Sequence, residues 1–142
     1  MQRTRIVVLL AILAIIYGLS WLGVFDRWFL TYWWTDILMH IAGAFFMALL
    51  ISSYYSNEFS KLSQPFRMFA LLGMIVLVGV LWEFHEYILN HSALVPGLSH
   101  SLNYSVNLQG DVTDTMKDLS MDMLGGILAG LLTFARNWGT KS

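Results

Sequence analysis

The chain has 142 residues, 57% of them hydrophobic and 12% charged, with a formal net charge of −1. Its mean hydropathy of +0.63 is too high for a water-soluble domain of this size and marks a membrane protein. The near-neutral charge without any basic run argues against nucleic acid as a partner; the lack of cysteine excludes disulfides and thiolate chemistry, so any metal must be held by oxygen and imidazole.

Four stretches approach the ~20 residues needed to cross a hydrocarbon core: 6–25, 36–55, 66–89 and 117–138. They predict an all-α fold, an antiparallel bundle of four transmembrane helices forming a single polytopic membrane domain. The first stretch, behind Arg3 and Arg5, is longer than the apolar core of a secretory signal. Its Tyr17 and Trp21, and Trp28 beyond it, suit a membrane interface, so it reads as a retained helix. The link 26–35 carries Trp28, Tyr32, Trp33 and Trp34, an aromatic belt. The link 56–65 is polar, and Pro65 suits the start of the third helix. The outer loop 90–110, with Pro96, Gly97 and Gly110, exceeds a usual helix–helix connection and is expected to be either a lid or unstructured. Arg3, Arg5, Lys61, Arg67, Arg136 and Lys141 fall on one side of this serpentine, and Arg27 and Lys117 on the other. Positive charge favours the cytoplasmic side, which predicts both termini in the cytoplasm.

With that topology, every acidic residue except Glu58, and all four histidines, lie in the outer half. Asp36 and His40 are four apart and share a face of the second helix. Glu83 and Glu86 share a face at the end of the third, from which His85 points away. Asp111, Asp114, Asp118 and Asp122 fall within an arc of roughly 80° on the fourth helix. Asp111 and Asp114 suit capping of the helix N-terminus. Dipole stabilisation fades after the first turn, so Asp118 and Asp122 require a cation, a basic partner such as Arg27 or Lys117, or a solvated vestibule.

His40, Glu83 and Asp122 come out about one to two turns inside the outer surface, so three helices offer carboxylates and an imidazole in one layer. Asp36, His40, Glu83, Asp118 and Asp122 are therefore candidate ligands of a divalent metal ion, with Glu86 or Asp114 as the catalytic general base. Gly126 and Gly130 form a G-x₃-G beside Gly125 and Ala129. This suits close packing against the other helices, with a homodimer as the alternative.

Thr35-Asp36-x₃-His40 with Gly43, then Trp82-Glu83-x₂-Glu86, then Gln109-Gly110-Asp111-x₂-Asp114-Thr115-x₂-Asp118-x₃-Asp122-x₂-Gly125, together resemble the YjdF-like inner membrane proteins over about two-thirds of the chain. A fainter similarity is to VanZ-like proteins, from which the chain departs in having Asp122 where an asparagine is expected and in lacking a basic residue ahead of the late aspartate. The resemblance implies a multi-pass protein of a bacterial or archaeal cytoplasmic membrane, and it lends no established reaction. The residues themselves point first to a metal-dependent hydrolase or transferase acting on a lipid or lipid-linked substrate at the outer leaflet, with membrane lipid as partner. A non-catalytic binder of amphiphiles or accessory subunit is the alternative. An ion or proton pathway ranks lower, because below Asp122 the fourth helix offers only Thr133.

Overall fold

The computed structural model describes residues 2–134; the expectations that involve Arg136, Trp138 and Lys141 lie outside them. Among the described residues the secondary structure is entirely helical: α1 (Gln2–Phe25), α2 (Trp28–Thr31), α3 (Thr35–Tyr54), α4 (Ser56–Ser60), α5 (Gln64–His91), α6 (Leu94–Leu102) and α7 (Val112–Phe134). α1, α3 and α5 are long and apolar enough to cross a membrane. α7 has the length, with 23 residues, but Asp114, Lys117, Asp118 and Asp122 make its first three turns polar, so three spans are evident by composition where four were expected.

The helices follow a serpentine course. Gln2 Nε2 donates to Ser53 O at 2.9 Å, which sets the start of α1 against the end of α3. Thr115 meets Glu83, near the end of α5, whereas Gly130 faces Met68 and Leu71 near its start, so α5 and α7 are antiparallel. α3 and α7 run in the same direction: Asp36 meets Lys117, His40 meets Asp122, and Ala44 meets Gly125. α3 is the hub, packing most extensively on α7 and also on α1 and α5.

Small residues make that central contact close. A methyl group on Gly125 would strike the Ile41 carbonyl, with Ala44 Cβ and Phe45 N each at 3.0 Å. Gly126 and Gly130 face α5 instead, against Leu72, Ile75 and Met68. Thus the G-x₃-G is spent within the chain, where close backbone approach gains dispersion contacts that lipid tails would otherwise supply equally. Ala44, Ala48, Leu71, Ile75 and Ala129 form the dry core below it, with Phe59 and Phe134 edge to face at its far end. α1, by contrast, exposes Val7, Val8, Leu10, Ile15, Leu19 and Leu22, as expected of a helix apolar all round and bathed in lipid.

The loop 90–110 is folded. α6 lays Val95, with Leu98 and Leu102, on Val24 and Phe29. Asn90 then clamps the return segment, donating to Asn107 Oδ1 at 2.7 Å and accepting from the Leu108 amide at 3.0 Å. On the other flank Arg27, in the left-handed region at φ 60°, lies 4.7 Å from the Tyr104 ring centroid, and the Tyr104 hydroxyl donates to the Val24 carbonyl. These contacts seat α6 and the return segment 103–110 over the ends of α1 and α5.

Candidate functional site

Beneath that cap, α3 and α7 turn their acidic faces toward each other. His40, 8% exposed, stands at the centre. Its Nδ1 lies 3.2 Å from Asp122 Oδ1; an ionised carboxylate only accepts, so with Asp122 ionised the proton is on Nδ1, and a ring neutral in that tautomer would present a lone pair at Nε2. Nε2 faces Asp36 Oδ1 at 3.7 Å and Asp118 Oδ2 at 3.8 Å. Both separations exceed hydrogen-bonding distance. They approach the ~3.3–3.6 Å between donors that share a tetrahedral cation through bonds of about 2.0–2.2 Å. One ligand atom from each of Asp36, His40 and Asp118 lies within 4.8 Å of the others, and such a group could hold a metal ion.

The opposite oxygens of the same two carboxylates face a second positive group. Lys117 Nζ donates to Asp36 Oδ2 at 2.9 Å and to Asp114 Oδ1 at 2.6 Å, and stands 3.5 Å from Asp118 Oδ1. Asp118 Oδ1 makes no hydrogen bond although the residue is only 3% exposed. Asp36 and Asp118 therefore sit between the Lys117 ammonium on one side and His40 Nε2 on the other.

The remaining candidates divide. Glu86 accepts a 2.9 Å hydrogen bond from Trp82 Nε1. Asp114 is engaged on both oxygens, with Lys117 and with the Gly110 amide at 3.1 Å. Glu83 turns to the α5–α7 seam, where Thr115 Oγ1 donates to it at 2.8 Å; its other oxygen is buried and unpartnered. Asp111 lies outside the group as the cap of α7: the amides of Thr113 (2.8 Å) and Asp114 (3.0 Å) donate to its carboxylate and hold it below the usual aspartate range. His85 packs in an aromatic group with Tyr17 and Trp82.

Lys117, which the sequence offers as a partner for Asp118 and Asp122, stands within ion-pair distance of Asp36, Asp114 and Asp118. One feature had no signal in the sequence: a cavity of about 530 Å³ extends from Asp36 and Lys117 down between α1, α3 and α5 to Leu13, Met47 and Ile75. Gly79 shapes its wall, since a methyl group there would strike Asp122 Oδ2 and come within 3.0 Å of Leu119.

A helical membrane protein with an acid–histidine centre at one end of an apolar cavity is the class these features define. The chain belongs to the family described as predicted membrane protein (DUF2238), whose family model matches residues 2–138. That match supports the kind of family the motifs resemble and does not extend to the VanZ-like similarity. Neither a curated protein nor a solved structure was found to match.

Proposed function

We propose that the chain is a four-span protein of the cytoplasmic membrane, with α7 as the fourth span and both termini cytoplasmic. Near the outer surface Asp36, His40 and Asp118 bind a divalent cation, and the centre acts on a lipid or lipid-linked substrate as a hydrolase or transferase. The carrying observation is the convergence of His40 Nε2 with one oxygen each of Asp36 and Asp118 at spacings too long for hydrogen bonds, all within 4.8 Å of one another. Asp122 is the orienting group, since a carboxylate on the far nitrogen of a ligating histidine fixes its tautomer and raises its basicity. Glu86 and Asp114 both line the cavity, and Glu86 is the better general base because it is held by one indole N–H, whereas Asp114 is held by Lys117 and Gly110. The polar half of α7 faces α3 and α5, and residues 123–134 are apolar, which supports its reading as a span.

The test is elemental analysis of protein purified under metal-replete conditions. One ion per chain, lost in Asp118→Asn while helicity and melting behaviour persist, is the expected result; wild-type protein free of divalent ions refutes the assignment. A second reading is favoured by Lys117, whose bonds to Asp36 and Asp114 suit a satisfied polar network that fixes helix register in a non-catalytic protein. In that case the double substitution Glu83→Gln/Asp118→Asn leaves the cellular phenotype unchanged.

A further inference from the structure

Gly43 has no packing role. It sits mid-helix on α3, three residues past His40, where glycine costs roughly 0.5–1 kcal/mol relative to alanine. Gly125, Gly126 and Gly130 recover that cost through close contact with a neighbouring helix, but a methyl group on Gly43 would meet nothing within 4 Å. Gly43 instead lines the cavity. Below the acid–histidine centre the walls are apolar, contributed by Leu13 and Ile16 of α1, Met47 of α3, and Ile75 and Val78 of α5. On α3 alone the cavity runs from Asp36 to Met47, about 16 Å of helical rise.

α1 leans on α3 and packs little on α5. Their main link is aromatic, Tyr17 against Trp82 with ring centroids 5.9 Å apart, near the polar end. The cavity is thus a long cleft between two lipid-facing helices, apolar along most of its length, with Lys117 and the His40 centre at its head.

We propose that this cleft seats the hydrocarbon chain of a membrane amphiphile, with a phosphate-bearing headgroup taken by the cation at Asp36, His40 and Asp118 and by Lys117. The proposal deepens the function proposed above and rests on its cation for the headgroup, though not for the chain. Lipid tails are as apolar as the cleft walls, so transfer of a chain from the bilayer has little hydrophobic driving force, and selection must come from fit and from the headgroup. The headgroup chemistry follows from charge. Asp36, Asp114, Asp118, Asp122 and Glu86 outnumber the bases around them, so a phosphate is held only through direct contact with a bound divalent cation and Lys117, while a cationic headgroup would compete with that cation. Phosphate amphiphile and cation must therefore strengthen each other's binding, and an amine amphiphile and cation must weaken it.

The experiment uses the full chain in nanodiscs with two photoreactive probes of equal length, an alkyl phosphate and an alkylammonium, with and without Mn²⁺. Cross-links are mapped by mass spectrometry and Mn²⁺ is read by electron paramagnetic resonance in the same samples. The alkyl phosphate is expected to label α1 and α5 residues lining the cleft, with Mn²⁺ raising its apparent affinity by about 5- to 150-fold, the range usual for coupled sites. Gly43→Leu, which grows into open space, is expected to abolish labelling while Mn²⁺ still binds. Gly43→Leu labelling equal to wild type, or preferential Mn²⁺-dependent labelling by the alkylammonium, overturns the proposal. Wild-type protein that binds no Mn²⁺ yet labels with the same Gly43 dependence overturns the cation centre and the phosphate assignment, and leaves the chain seat standing.

Discussion

Gly79→Ala tests whether Asp122 orients His40 without touching either residue. A methyl group at position 79 points at Asp122 Oδ2, with Leu119 Cδ2 at 3.0 Å and Asp122 Cγ at 3.4 Å. Asp122 is 6% exposed and its other oxygen holds His40 Nδ1 at 3.2 Å, so a shift of its carboxylate forced by the methyl group disturbs that contact. Overpacking of this kind costs about 1–3 kcal/mol, partly offset by roughly 1 kcal/mol of helix propensity gained over glycine. The net loss of stability should be no more than about 2 kcal/mol, and the protein should fold. Loss of an orienting partner typically weakens metal binding by 10- to 100-fold, or about 1.4–2.7 kcal/mol. Titration with Mn²⁺ or Zn²⁺ beside thermal melts in detergent separates the two effects. Gly73→Ala is the control, because a methyl group there meets nothing within 4 Å, and it should leave both readouts within error of wild type or raise the melting temperature slightly. Unchanged ion affinity in Gly79→Ala would refute the orienting role of Asp122.

Lys117→Met removes the cation that Asp36, Asp114 and Asp118 share, so the ion-free protein should melt earlier. Saturating divalent ion should recover stability, by about 2.7 kcal/mol at 100-fold over Kd, and a melt that ignores the ion contradicts the centre. Gly125→Ala should destabilise by about 1–3 kcal/mol, because it meets the backbone of α3; Gly130→Ala should cost less, since Met68 Sδ and Cε, the far end of a flexible side chain, can yield. Equal melting temperatures for the two variants would count against α3–α7 as the tightest seam. Asp111→Ala removes the cap of α7. Because the folded carboxyl is held below its unfolded value, its stabilisation is fully present above the ordinary aspartate range and is lost as pH falls through the depressed value. The difference in melting temperature between wild type and Asp111→Ala should therefore be largest near neutrality and vanish in acid; a pH-independent difference would remove the charge from the explanation.

Much of the architecture follows from periodicity and composition, which act locally. Runs of apolar residues near twenty long are enough to specify α1, α3 and α5, and Asp111 caps α7 because the amides two and three residues further on are within reach. Aspartates at 114, 118 and 122 share a face by helical geometry alone, so their presentation as one stripe was legible before any fold was known. Which group each one meets was not, because partners come from other helices. Helical phase does not reveal that Asp122 takes Nδ1 of His40 while Asp118 faces Nε2, that Lys117 stands behind both carboxylates, or that Glu83 turns aside to Thr115. The loop 90–110 read as lid or disorder, since its short α6 is stabilised by Val24, Phe29 and the Asn90 clamp, contacts distant in sequence. The cleft is the clearest case. A cavity is space that packing leaves unfilled, and it exists here only because α1 leans on α3 rather than α5 while Gly43 withholds a side chain.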